Sequence, residues 1–162
     1  HYSRHASDAA LVGHIEALLP HIAGGDEIAA KLTPLARQRL TAAMPGLKER
    51  AKTLIELIEG ARFLFADRPI AIEDKAAALL TADARKLLGR LADQLAQIDP
   101  WTAEATERAV RALADEAKVK LGTLAQPLRA ALTGKTTSPG IFDVLAALGK
   151  DETLGRLRDQ CQ

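Results

Sequence analysis

The chain has 162 residues, enough to bury a core as one domain or two small ones, and its hydrophobic residues, 48% of the total, are almost all aliphatic. A net charge of +1 and a single cysteine, Cys161, exclude a disulfide scaffold and any bulk electrostatic case for binding nucleic acid. No apolar run approaches the roughly 20 residues needed to span a bilayer and no secretory signal is present, so a soluble, cytoplasmic protein is expected.

Alanine and leucine dominate, which favours helices. The spacing predicts a first helix over 8–22, with Leu11, Ile15, Leu18 and Ile22 as its apolar stripe and Gly24 and Gly25 as its stop. A second segment runs from 27 to 43, restarts at Pro34, and is expected to end at Pro45 and Gly46. A third helix is predicted over 47–65, where Leu47, Ala51, Leu54, Ile58, Ala61 and Phe65 alternate steps of four and three. The Arg68-Pro69 pair disfavours helix and reads as a connector.

Beyond it come a short helix over 73–80 and a helix capped by Thr81 and striped by Leu87, Leu91, Leu95 and Ile98. Thr102 opens a long helix carrying Val110, Leu113, Ala117 and Leu121, closed by Gly122. A helix containing PLRAALTG then ends at Gly134, and two short helices over 139–148 and 151–159 complete the chain, the first capped by Ser138 with Pro139 as its opening residue. No strand pattern occurs. The expected fold is all-α, a helical cage of two consecutive subdomains, 1–72 and 73–162.

The GKTT at 134–137 looks like half of a phosphate-binding loop, but the first position of G-x-x-x-x-G-K-[ST] falls on Arg129, where a side chain blocks the anion cradle. It also follows helical leucines rather than a buried strand, so nucleotide hydrolysis is disfavoured. His1 and His5 are four apart with no third ligand, and no metal site is expected. Cys161 lacks the electropositive setting of a reactive thiol. No catalytic set stands out, and this chain by itself does not read as an enzyme.

Charge is segregated locally. From 108 to 135 six basic residues face two acidic ones, and from 35 to 65 six face three, a pattern that solvated helix faces also produce. Phe142 is one turn inside its helix, where an aromatic beside an arginine packs into a core or stacks a nucleobase.

QPLRAALTGKTTSPGIFDVLAALGK (126–150), continued by DETLGRL (151–157), resembles the C-terminal part of bacterial glutamyl-tRNA synthetases, class I enzymes that read the anticodon with two helical subdomains. MPGLKERAKTLIELIEGARFLF (44–65) and the Tyr2 and Arg4 of HYSRH extend the likeness. The resemblance implies that Arg129 and the corner Ser138, Pro139, Gly140, Ile141 and Phe142 meet unpaired anticodon bases, with Arg50 contributing from the first subdomain. Lys118, Lys120 and Lys135 are expected to attract phosphates without reading sequence.

The family's HIGH-type and KMSKS-type ATP-binding signatures are absent from these residues, and the chain begins HYSRH rather than with methionine. The resemblance therefore places ATP, magnesium and glutamate activation in a catalytic domain of the same polypeptide, with no cofactor in this stretch. The expected partner is glutamate tRNA, the expected state a monomer. The alternative from another class is a helical module that binds a protein partner through an apolar groove.

Overall fold

The computed structural model describes residues 7–161, so the His1, His5, Tyr2 and Arg4 readings lie outside the described residues. Among those described the fold is all-α: ten helices and two 3-10 turns, with no strand. It divides into one compact unit ending at Ala66 and another beginning at Asp67.

In the first unit α1 (Asp8–Leu18) is followed by a 3-10 turn (Leu19–His21), α2 (Gly25–Lys31), α3 (Pro34–Arg50), α4 (Leu54–Ala61) and a second 3-10 turn (Arg62–Phe65). α1, α3 and α4 pack together over Leu11, Val12, Ile15, Leu40, Met44, Leu47, Leu57 and Ile58. The first helix stops four residues earlier than its stripe suggested, because Pro20 converts its end to a 3-10 turn. Gly24 adopts φ +74°, and Arg62 donates to the Ala23 carbonyl beside it at 2.8 Å.

Two further expectations for this unit fail. α3 continues through Pro45, which it carries in its interior, because Leu40, Met44, Leu47 and Ala51 form one buried row whose packing outweighs the missing amide hydrogen bond. The single helix predicted over 47–65 is instead broken at 51–53. Thr53 accepts from the Glu56 amide at 3.1 Å while the Glu56 carboxylate accepts from the Lys52 amide at 2.7 Å, a reciprocal cap that starts α4 afresh.

The second unit comprises α5 (Asp74–Ala77), α6 (Ala82–Leu95), α7 (Ala103–Ala117), α8 (Leu121–Thr133), α9 (Ile141–Leu148) and α10 (Lys150–Gln160). Its hub is α8, which packs against all five of the others. That role is written in its composition: Leu124, Pro127, Leu128, Ala130, Ala131, Leu132 and Thr133 are buried, and a helix apolar nearly all round must be enclosed. Its only charged residue is Arg129.

Threonines cap α6 and α7 as expected, Thr81 accepting from Ala84 and Thr102 from Ala105, each at 3.1 Å. The α6 core row uses Leu88, Leu91 and Leu95, while Leu87 and Ile98 are half-buried. The 73–80 helix shortens to a single turn. α7 ends at Lys118, not at Gly122: Lys118 takes the left-handed conformation at φ 57°, and Gly122 lies inside α8. Trp101 donates from Nε1 to the Leu145 carbonyl at 2.9 Å, tying the entry of α7 to α9.

α8 ends where expected, at Gly134 with φ +75°. The segment entering this unit passes directly over that turn. The Glu73 amide donates to the Gly134 carbonyl at 2.8 Å, and a Cβ at Gly134 would sit 2.1 Å from the Ala71 carbonyl oxygen. Gly134→Ala is thus expected to lower stability by about 2 kcal/mol or more, combining left-handed strain with a backbone clash. Gly13 lies in the exposed middle of α1, where an added Cβ would meet nothing within 4 Å, and Gly13→Ala is expected to raise stability by about 1 kcal/mol. Urea titration of both variants measures the contrast.

Candidate nucleic-acid interface

Residues 134–140 turn the chain from α8 into α9 and bring Ser138 back onto Arg129. Arg129 Nε donates to Ser138 Oγ at 2.8 Å, and the same hydroxyl donates to the Pro139 carbonyl at 2.7 Å. Gln126, one turn earlier on α8, places Oε1 at 3.4 Å from an Arg129 terminal nitrogen. The guanidinium plane is therefore fixed by side chains of its own helix and of the corner, while the residue as a whole is half-buried.

Ser138 consequently does not cap the next helix. Its hydroxyl is engaged by Arg129, it is only 7% exposed, and α9 begins at Ile141 with Gly140 as its N-cap and no side-chain acceptor. Pro139 lies before the helix rather than in its first turn. The early amides of α9 thus lack a side-chain cap and sit at the positive end of its dipole. Asp143, in that first turn, folds its carboxylate back so that a Cβ at Gly140 would lie 3.3 Å from Oδ2.

The five corner residues divide by burial. Gly140 is exposed, Pro139 and Phe142 are half-buried, and Ser138 and Ile141 are buried, Ile141 at 6%. Ile141 joins the core with its side chain, so only its backbone can belong to a surface. Phe142, one residue beyond it, stays half-buried.

Thr133 stiffens the entrance to the corner. Its hydroxyl donates to the Arg129 carbonyl at 2.8 Å and accepts from the Lys135 amide at 3.1 Å. Nothing in the sequence distinguishes this threonine from those beside it. Gln126 is more legible, since a residue three before an arginine on one helix lies next to it.

The three lysines expected at phosphates are exposed and sit at helix junctions. Lys118 closes α7, Lys120 is the N-cap residue of α8, and Lys135 follows its C-cap. α8 is 13 residues long, so Lys120 and Lys135 stand apart by roughly 20 Å. Such spacing suits a track along a nucleic-acid backbone and not a clasp on one phosphate. Arg50 is exposed at the last position of α3, in the other unit.

Burial raises the Cys161 thiol above its usual range, against the lowering effect of Arg85, with Asp93 adding to the rise. No group of His, Cys, Asp and Glu among the described residues could hold a metal ion. No described helix is long and apolar enough to cross a membrane.

Residues 15–161 match the family described as anticodon binding domain. The chain is 63% identical over 160 residues to the glutamate–tRNA ligase of Bradyrhizobium sp. strain BTAi1, covering 99% of this chain and 34% of that protein. To the glutamate–tRNA ligase of Rhodopseudomonas palustris strain TIE-1 it is 59% identical over the same length and shares. It thus spans about a third of the relatives it matches. Among solved structures it is similar to a glutamate tRNA ligase from Elizabethkingia meningosepticum in complex with its amino acid, with a TM-score of 0.79 at 20% identity over 96% of this chain and 29% of that one. That likeness concerns the fold.

Proposed function

The chain belongs to the anticodon binding domain family, and from that premise we propose that it grips the anticodon of glutamate tRNA for a glutamate–tRNA ligase. ATP, magnesium and the chemistry of glutamate attachment belong, on this reading, to a catalytic domain in the rest of a longer, monomeric, cytoplasmic protein. The observation that carries it is the 2.8 Å bond that fixes Arg129, the one charge on the enclosed helix α8, against the Ser138 corner.

RNA sequence is read chiefly from splayed loop bases, because the deep groove of an A-form helix hides base edges. A reader of such bases needs directional donors held still, a planar surface for stacking and a phosphate-attracting surround. Arg129 supplies a guanidinium of fixed plane, which recognises bases in a way that a lysine point charge does not. The uncapped amides of α9 supply further donors, and the half-buried Phe142 a stacking face. Lys118, Lys120 and Lys135 provide attraction with no sequence content. Arg50 is the corresponding candidate in the first unit.

Two substitutions separate reading from attraction. Arg129→Ala is expected to cost about 1 to 3 kcal/mol of discrimination between glutamate tRNA and the same tRNA with its anticodon replaced. Equal losses on both RNAs would reduce Arg129 to a phosphate or structural contact. Lys118 occupies a left-handed cap where glycine is the favoured residue. Lys118→Gly should therefore raise thermal stability while weakening binding of both RNAs alike and flattening the salt dependence by about one unit of slope. An unchanged slope would remove Lys118 from the phosphate track. A protein-binding module would instead keep its affinity as salt rises.

A further inference from the structure

Arg156, on α10, is the only charged side chain among the described residues that is fully buried, and the base-reading account makes no use of it. Removing a guanidinium from water is costly unless its charge and its donors are met. Two of the groups that meet it are informative. Nε donates to Glu152 Oε2 one turn earlier at 2.7 Å, and a terminal nitrogen donates to the Leu132 carbonyl at 2.7 Å.

Leu132 lies in the last turn of α8, where carbonyls have no intrahelical donor left to accept from. Arg156 supplies that missing donor from another helix and puts a positive charge at the negative end of the α8 dipole. The next residue, Thr133, carries the hydroxyl that binds the Arg129 carbonyl and the Lys135 amide. Gly134 then makes the turn to Ser138. The direction of this whole stretch follows from how the final turn of α8 is held.

Glu152 reaches the same turn by a second route. Its Oε1 lies 4.0 Å from Arg68 Nε, and the Arg68 guanidinium lies so close over Gly155 that a Cβ there would fall 1.2 Å from it. Arg68 begins the segment whose Ala71 carbonyl and Glu73 amide press on Gly134. Arg156 and Glu152 therefore join α10, the end of α8 and the incoming segment at one point.

We propose that Arg156 is a positioning residue for the corner: by holding the Leu132 carbonyl it sets the angle at which Arg129 and Ser138 meet an anticodon base. This rests on the anticodon reading above. Lysine in its place keeps the charge but offers a single ammonium, which cannot span Glu152 and Leu132 as a guanidinium fork does.

The test measures binding of the full chain to a glutamate tRNA transcript and to the same transcript with its anticodon replaced, in the unsubstituted chain, Arg156→Lys, Arg129→Ala and the double variant. Arg156→Lys is expected to lower the affinity ratio about tenfold, the loss of one charged hydrogen bond, and to add less than about twofold once Arg129 is already alanine. An unchanged ratio in Arg156→Lys, or a full tenfold loss persisting without Arg129, overturns the proposal. No preference by the unsubstituted chain overturns the anticodon reading itself and takes the proposal with it. Glu152→Gln, at a partly exposed position, provides a readout without RNA. Amide exchange from Lys135 to Phe142 should quicken by about tenfold relative to that of α6, and a ratio of the two unchanged from the unsubstituted chain overturns the proposal.

Discussion

A guanidinium and a hydroxyl nine residues apart close a loop through one 2.8 Å hydrogen bond, and the functional account depends on that closure. Arg129 is rooted in a helix that its neighbours enclose, so its backbone has no freedom to drift. A glycine at positive φ reverses the chain just beyond, with a neighbouring carbonyl where a side chain would be. Ser138 then returns to the arginine from the far side of that reversal. Each element is ordinary by itself, and together they hold a cationic plane at the surface end of a core helix.

The proposed function keeps precision and attraction apart in this unit. The fixed donors gather at the α8–α9 corner, while the exposed lysines occupy helix junctions at both ends of α8. A charge that reads must be oriented and partly desolvated, because water and rotamer freedom otherwise erase the difference between one base and another. A charge that only attracts works better exposed. A net charge of +1 for the whole chain is compatible with both, since local placement and not the total decides the field at the RNA.

Much of this is legible in the residues. The enclosed character of α8, its stop at Gly134 and the threonine caps at 81 and 102 follow from local chemistry. Two failures share a cause: a local signal met a tertiary partner that the sequence does not display. Ser138 before Pro139 reads as a cap, yet Arg129 takes its hydroxyl and moves the helix start to Ile141. Pro45 reads as a stop, yet the buried row from Leu40 to Ala51 carries α3 past it. The 47–65 stripe is periodic enough to hide the Thr53 and Glu56 cap that divides it. Nothing in the sequence marks Arg156, four residues after Glu152, as the arginine buried against another helix's end.

The central claim is that an unstacked anticodon base enters the corner between α8 and α9. A glutamate tRNA carrying a photoreactive uridine in its anticodon, irradiated in complex with the chain and mapped by mass spectrometry, tests it most directly. The account predicts adducts within 126–142, above all around Arg129, Gly140 and Phe142. Adducts confined to other surfaces of the second unit, with that corner unlabelled, would contradict it.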